Sequence, residues 1–214
     1  MKKNVILSVC LGWFLLTACN QVAKTEKESA PAQSGVMENQ VVETIMARRS
    51  IRKYTTQPVE QQKLDQIIKC GINAPNGMYK QSWEVRIVNT PEIMEEINQG
   101  YNAFLKANGR DKEMHPSYGA PVLIFIANDT TYDLSQVDCG LLGGNMILTA
   151  QSMNLGTCCL GGLVRYMNSE DAAPLLKRMN LPANYQLLYA IALGYPAEQP
   201  AAKPRKIEKV QYVK

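Results

Sequence analysis

The chain has a single histidine, His115, and no cysteine–histidine spacing of the kind that holds zinc, so no metal centre is expected. It has no GxGxxG motif after an apolar run, which excludes a separate dinucleotide-binding domain of the doubly wound type. It lacks a strong excess of either charge. The balance of 23 basic against 19 acidic residues leaves +4, too little for a general nucleic-acid surface. It also lacks an apolar run of comfortable membrane-spanning length, and it has no internal repeat. What is there, 214 residues of which 46% are hydrophobic, suffices for one globular domain with a real core.

The start of the chain is not expected to belong to that domain. "MKKNVILSVCLGWFLLTAC" runs from Lys2 and Lys3 through an apolar stretch, Val5 to Leu16, to small residues before Cys19, the order of a secretory signal. "LTAC" resembles a bacterial lipobox, which implies a signal peptide over 1–18 and acyl chains on Cys19. The plainer alternative is ordinary signal cleavage with Cys19 an incidental thiol. Residues 19–39 are polar, without apolar period, and read as a flexible tether. The domain is expected over 40–214, exported and lipid-anchored to a bacterial membrane, periplasmic or surface-facing. Cys70, Cys139, Cys158 and Cys159 lie in apolar stretches without a CxxC pair, and are read as buried thiols rather than disulfides.

Hydrophobic period gives the elements. "ENQVVETIMARR" sets Val41, Val42, Ile45 and Met46 on one helical face, and Leu64, Ile67, Ile68 and Ile72 mark a second helix ended by "NAPNG". "SWEVRIVN" alternates as a strand. "TPEIMEEINQG" opens a helix with Thr90 as N-cap and Pro91 at its first position. Residues 98–119 read as an irregular polar cover. "PVLIFIAN" is a continuous apolar run, as in a central strand covered on both faces. Residues 135–155 form a long helix, apolar nearly all round and carrying Gly140, Gly143 and Gly144, which suggests burial and close helix–helix approach. "LGTCCLGG" reads as a strand and glycine turn, "NSEDAAPLLKRM" as a capped helix, and "NYQLLYAIALGYP" as another strand. The tail "KPRKIEKVQYV" alternates again. The class is α+β, or mixed α/β.

Chemistry concentrates in segments far apart in the chain. "RRSIR" at 48–52 combines forked guanidinium donors with a hydroxyl, a set suited to a phosphate, although a basic run is also what a solvated helix end looks like. "APNG" at 74–77 is at least a turn. "CCLGG" at 158–162 is at least a strand end, and its glycines offer bare backbone to a flat ring.

In this order, "ARRSIRKYTTQPV", "GINAPNGMYKQSWEVRIV", "DCGLLGGNMILTAQSMNLGTCCLGG" and "LGYPAEQPAAKPRK" resemble the nitroreductase family of flavin enzymes, over roughly residues 40–214. The resemblance implies a mixed sheet flanked by helices, in an intertwined homodimer with FMN at the subunit interface. The long helix would lie in that interface, and the tail after Pro200 would reach across the partner. It further implies that Arg48 and Ser50 hold the FMN phosphate, with Arg49 beside them and Arg205 completing the clamp. Arg52 would lie by the pyrimidine edge. Asn76 and Gly77 would approach from the other subunit, and Gln81 would touch the ribityl chain or ring edge. Leu160, Gly161 and Gly162 would present backbone to the ring. No side chain is then a catalytic acid or base, because the flavin carries the electrons.

The implied reaction is ping-pong electron transfer from NAD(P)H, or another donor, to a nitroaromatic, quinone or similar flat acceptor in the same cleft. The usual "APSxxNxQPW" pattern is altered here. Tyr79 stands where Asn is frequent and Ser82 where Pro is frequent, so Tyr79 either meets the substrate or marks simple drift. Two alternatives remain at this point. One is reductive dehalogenation of halogenated aromatic amino acids, which needs a lid grip drawn from residues such as Glu95, Glu96, Tyr101, Lys106 and Lys112. The other is a non-catalytic flavin-binding lipoprotein.

Overall fold

The computed structural model describes residues 39–214, so the expected signal peptide, Cys19 and nearly all of the tether lie outside the described residues. At the centre is a sheet of four strands, β1 (Trp83–Val88), β2 (Val122–Asp129), β3 (Gly156–Leu160) and β4 (Tyr185–Gly194), in the order β1-β2-β4-β3 with every neighbour antiparallel. Six helices accompany it among the described residues: α1 (Gln40–Ala47), α2 (Gln61–Ile72), α3 (Pro91–Ala107), α4 (Ser135–Ser152), α5 (Gly162–Met167) and α6 (Ala173–Arg178). The class is α+β. The mixed sheet that the resemblance implies is represented by one parallel bridge, Ser50 to Thr157.

The continuous apolar run of β2 is explained by its neighbours. Leu123, Phe125 and Ala127 point into a core built with α3, α5 and α6. Val122, Ile124 and Ile126 point the other way, into a core built with α2 and α4. A strand covered on both faces has no solvent side, so its apolar residues need not alternate. Phe125 is fully buried at the centre. Phe125→Ala is expected to cost about 3–5 kcal/mol, the usual range for emptying such a site, readable as a lowered urea midpoint.

Four expectations need correction. The irregular stretch at 98–119 is helical as far as Ala107, because Ile97, Tyr101 and Leu105 continue the helical period and are buried. Gly100 does not break it: a Cβ there would lie 1.9 Å from the Tyr166 hydroxyl, so the glycine makes room for that ring. The tail forms no strand, only a 3-10 turn at Ile207–Lys209, and residues 201–214 are exposed. Among the cysteines, Cys139 and Cys158 are buried, but Cys159 is exposed, since β3 turns successive side chains to opposite faces, and Cys70 on α2 is half-buried. Finally, Gly143 admits Tyr189 of the sheet rather than another helix. The Tyr189 hydroxyl donates to the Cys139 carbonyl at 2.6 Å, 1.9 Å from where a Gly143 Cβ would stand. Around Gly140 and Gly144 there is nothing within 4 Å.

Candidate active site

The basic segment leaves α1 at Arg48, whose φ of −59° and ψ of 133° end the helix. From there it runs extended along the outer side of β3, with the Ile51 N–H donating to the Thr157 carbonyl at 2.9 Å. Extended backbone sorts side chains by parity, so Arg48, Ser50 and Arg52 share one face and Arg49 and Ile51 the other. Ile51 is buried and packs on Gly156, where a Cβ would meet the isoleucine Cβ at 2.9 Å and its Cγ1 at 2.7 Å. Arg49 turns back to α1, donating to the carbonyls of Met46 at 2.6 Å and Arg48 at 2.8 Å. Its guanidinium therefore satisfies carbonyls that the helix end leaves open.

The other face is different. Among the described residues neither Arg48 nor Arg52 forms an ion pair with a side chain. Both guanidinium groups lie near Cys158: burial pushes that thiol up, and the charges of Arg52 and Arg48 pull it back. Arg52 also lies over the Tyr118 ring, 5.8 Å from its centroid, and its backbone N–H donates to Glu198. Tyr54 braces the turn by donating to the Ile51 carbonyl at 2.8 Å. Beyond Cys158 and Cys159 the strand ends at buried Leu160, followed by exposed Gly161 and Gly162. A Cβ at Gly161 would meet nothing within 4 Å, so the chain itself does not demand glycine there. Bare backbone at the end of β3, and along the same strand a hydroxyl and two guanidinium groups without a carboxylate partner, fit an anionic ligand with a flat portion.

Asn76, Gly77, Tyr79 and Gln81 are not part of this cluster. They precede β1, the far edge strand, while Ser50 lies outside β3 at the opposite edge. Four inter-strand steps, about 19 Å at ordinary strand spacing, separate the Ser50 strip from β1, whereas Gly161, at the far end of β3, lines the same cavity as Tyr132, the ring against Gly77. The Asn76 side-chain oxygen accepts the Gln81 N–H at 3.0 Å, which closes the loop, and Met78, Tyr79 and Gln81 all have left-handed backbone. Arg205 lies in the exposed tail and donates to the Lys203 carbonyl at 2.9 Å. Of the lid residues, Tyr101 is buried edge-on against Tyr166 and Glu96 is paired with Arg178 at 2.5 Å, so both serve the fold and not a grip on an amino acid.

Three residues near these segments escaped the sequence reading. Tyr118 sits in the polar stretch after α3. Asp138 is buried, accepting hydrogen bonds from the Gly77 N–H at 2.9 Å and the Ser82 hydroxyl at 2.6 Å. Ser135 is buried and donates to the Ser82 carbonyl at 2.6 Å. A lone acid between Val137 and Cys139 on an apolar helix was the available signal, since a buried charge needs partners.

The family model described as "Nitroreductase family" matches residues 45–195. The chain belongs to the nitroreductase family. An NADPH-flavin oxidoreductase of Vibrio harveyi is 30% identical over 175 residues, covering 78% of this chain and 70% of the relative. Among solved structures, a nitroreductase with bound FMN from Bacteroides fragilis superposes with a TM-score of 0.74 at 28% identity, covering 83% of this chain and 100% of that one. An NADPH:FMN oxidoreductase from Vibrio harveyi complexed with NAD+ gives a TM-score of 0.61 at 27% identity, covering 78% of this chain and 73% of that one. The nitroreductase match includes the basic segment, the loop at 76–81 and the glycines after β3, and it ends before Arg205.

Proposed function

We propose that this nitroreductase family member is an FMN-dependent oxidoreductase that works as a homodimer, using NAD(P)H or another donor to reduce a flat acceptor such as a quinone or nitroaromatic. The observation that carries the reading is the face on which Arg48, Ser50 and Arg52 stand together beside β3, with neither guanidinium in an ion pair among the described residues. Arg48 and Ser50 hold the phosphate through charge-assisted and hydroxyl hydrogen bonds. Arg52 adds positive charge to the same face. Leu160, Gly161 and Gly162 offer backbone to the ring system. Arg49 braces α1 behind them. When bound, FMN supplies the redox chemistry, taking two electrons from the donor and returning them to the acceptor.

A second copy is needed because Asn76, Gly77 and Gln81 stand at the other edge of the sheet. In the dimer they complete the partner's site, with Tyr79 lining the substrate pocket. Val41 and Ile45 on α1 and Val137 and Leu141 on α4 are exposed apolar residues that suit such an interface. Arg205 reaches the partner's clamp through the extended tail. Cys19 carries the lipid, and residues 20–39 tether the domain to a bacterial membrane within the cell envelope. An exported enzyme meets little free nicotinamide, and a protein or quinol donor is consistent with that location.

Purification without added flavin tests the function. Flavin absorption bands that accompany the protein through gel filtration, at the mass of a dimer, are the expected result. Colourless protein that also takes up no added FMN would overturn the reading.

A further inference from the structure

The loop before β1 is held in an unusual way. One buried carboxylate, Asp138 in the first turn of α4, takes the Gly77 N–H at one end of the loop and the Ser82 hydroxyl at the other, at 2.9 and 2.6 Å. The Ser82 carbonyl is held as well, accepting from the Ser135 hydroxyl at 2.6 Å and from the Asp129 N–H at 3.2 Å. The Ser135 hydroxyl oxygen in turn accepts the Asp129 N–H at 2.8 Å, tying the grip to the end of β2. Gly77 is pressed against Tyr132, whose hydroxyl would lie 2.2 Å from a Cβ at that position. Lys80 is drawn to the same ring, its Nζ 4.2 Å from the centroid. The residues anchored inward are therefore Gly77 and Ser82, while exposed Lys80 is held over the Tyr132 ring.

Between them, Met78 and Tyr79 stand outward at 82% and 83% exposure, with φ of 52° and 58°. Left-handed backbone is unfavourable for such side chains and persists only where the surroundings enforce it. A loop pinned at both ends so as to expose a large aromatic ring is built to present that ring. Proline in place of Ser82 would have no hydroxyl to offer Asp138, so the departure at this position is what permits the staple.

We propose that Asp138 and Ser82 are positioning residues that fix the loop and present Tyr79 to the flat acceptor, which makes Tyr79 a determinant of acceptor specificity. The inference rests on the function proposed above. Tyr79 supplies a stacking face, and the staple holds that face without the entropy loss a mobile ring would suffer on binding.

The test uses the FMN-loaded protein and two acceptor probes, the flat quinone menadione and the non-aromatic ferricyanide. The quantity read is the ratio of their kcat/KM values, with flavin content and melting temperature as controls. Tyr79→Ala is expected to lower the ratio about fivefold to tenfold, the size of one aromatic contact, and Tyr79→Phe to keep it. Ser82→Ala and Asp138→Asn are expected to lower the ratio in the same direction, while Ser82→Thr restores it. In a Tyr79→Ala background, Ser82→Ala is expected to change the ratio no further, because both act through one ring. An unchanged ratio in Tyr79→Ala, or independent losses in the double variant, would overturn the proposal. So would loss of the dimer in Tyr79→Ala with the ratio intact, which would make the ring an intersubunit contact. Wild-type protein that holds no FMN would overturn the function itself and the inference with it.

Discussion

Arg48→Ala is expected to weaken FMN retention by about tenfold to a hundredfold, because one hydrogen bond to a charged group contributes roughly 1.5–3 kcal/mol. Arg49→Ala should weaken it by no more than about threefold, since its partners are the Met46 and Arg48 carbonyls and its loss falls mainly on the end of α1. The two arginines are neighbours in sequence with the same charge, so their difference separates a shaped clamp from a diffuse positive field. Fluorescence titration of the flavin-free protein with FMN measures both. Equal losses for the pair would mean that strand parity has no bearing on the site. No loss for Arg48→Ala would return the basic cluster to a solvated helix end.

Gly156→Ala is the second substitution with a large expected effect, and it acts from behind the clamp. The new methyl would stand 2.7 Å from Cγ1, 2.9 Å from Cβ and 3.1 Å from Cγ2 of Ile51. A Cβ cannot rotate out of the way, and a β-branched residue has little rotamer freedom to offer instead. The backbone of the basic segment must therefore lift from β3, loosening the Ile51–Thr157 hydrogen bond at 2.9 Å. Overpacking of this kind costs roughly 1–3 kcal/mol, a fall in Tm of about 2–12 °C for a domain of this size. FMN retention should fall with it, because Arg48, Ser50 and Arg52 move as one strip. Thermal melts with and without FMN check both consequences. A variant that melts early but binds FMN normally would show that the strip is not seated by Gly156.

What the sequence disclosed follows from which signals are local. The apolar run at 121–128 has the pattern expected of a strand covered on both faces, and it is the interior strand β2. The basic segment and the "CCLGG" stretch share a theme legible from residue types, and Ser50 does bridge Thr157 beside it. The side-chain alternation that sends Arg49 away from Arg48 depends on extended backbone, which a cluster at the end of a helix conceals. The full length of α3 was hidden by Asn98, Gln99 and Gly100, polar or helix-weakening residues on a helix whose buried side is carried by Ile97, Tyr101 and Leu105. The Asp138–Ser82 staple joins residues 56 apart in the chain, a pairing with no local period to betray it. The tail alternates like a strand, yet among the described residues it pairs with no strand of its own chain.

The order β1-β2-β4-β3 leaves two border strands, β1 and β3, and among the described residues each carries charge or cover. Along β1 the Glu84–Arg86 pair stands at 2.6 Å, and Arg86 is fastened to the Met179 and Asn180 carbonyls at 2.5 and 2.9 Å. Along β3 the middle of the border is occupied by the chain's own residues 50–51. Unpaired strand borders are where proteins polymerise into cross-β aggregates, and charge or cover at the border is what prevents it. The strip that carries the arginines thus also caps an otherwise adhesive margin. Displacing that strip would therefore bare the β3 margin as well as disturb the proposed FMN site.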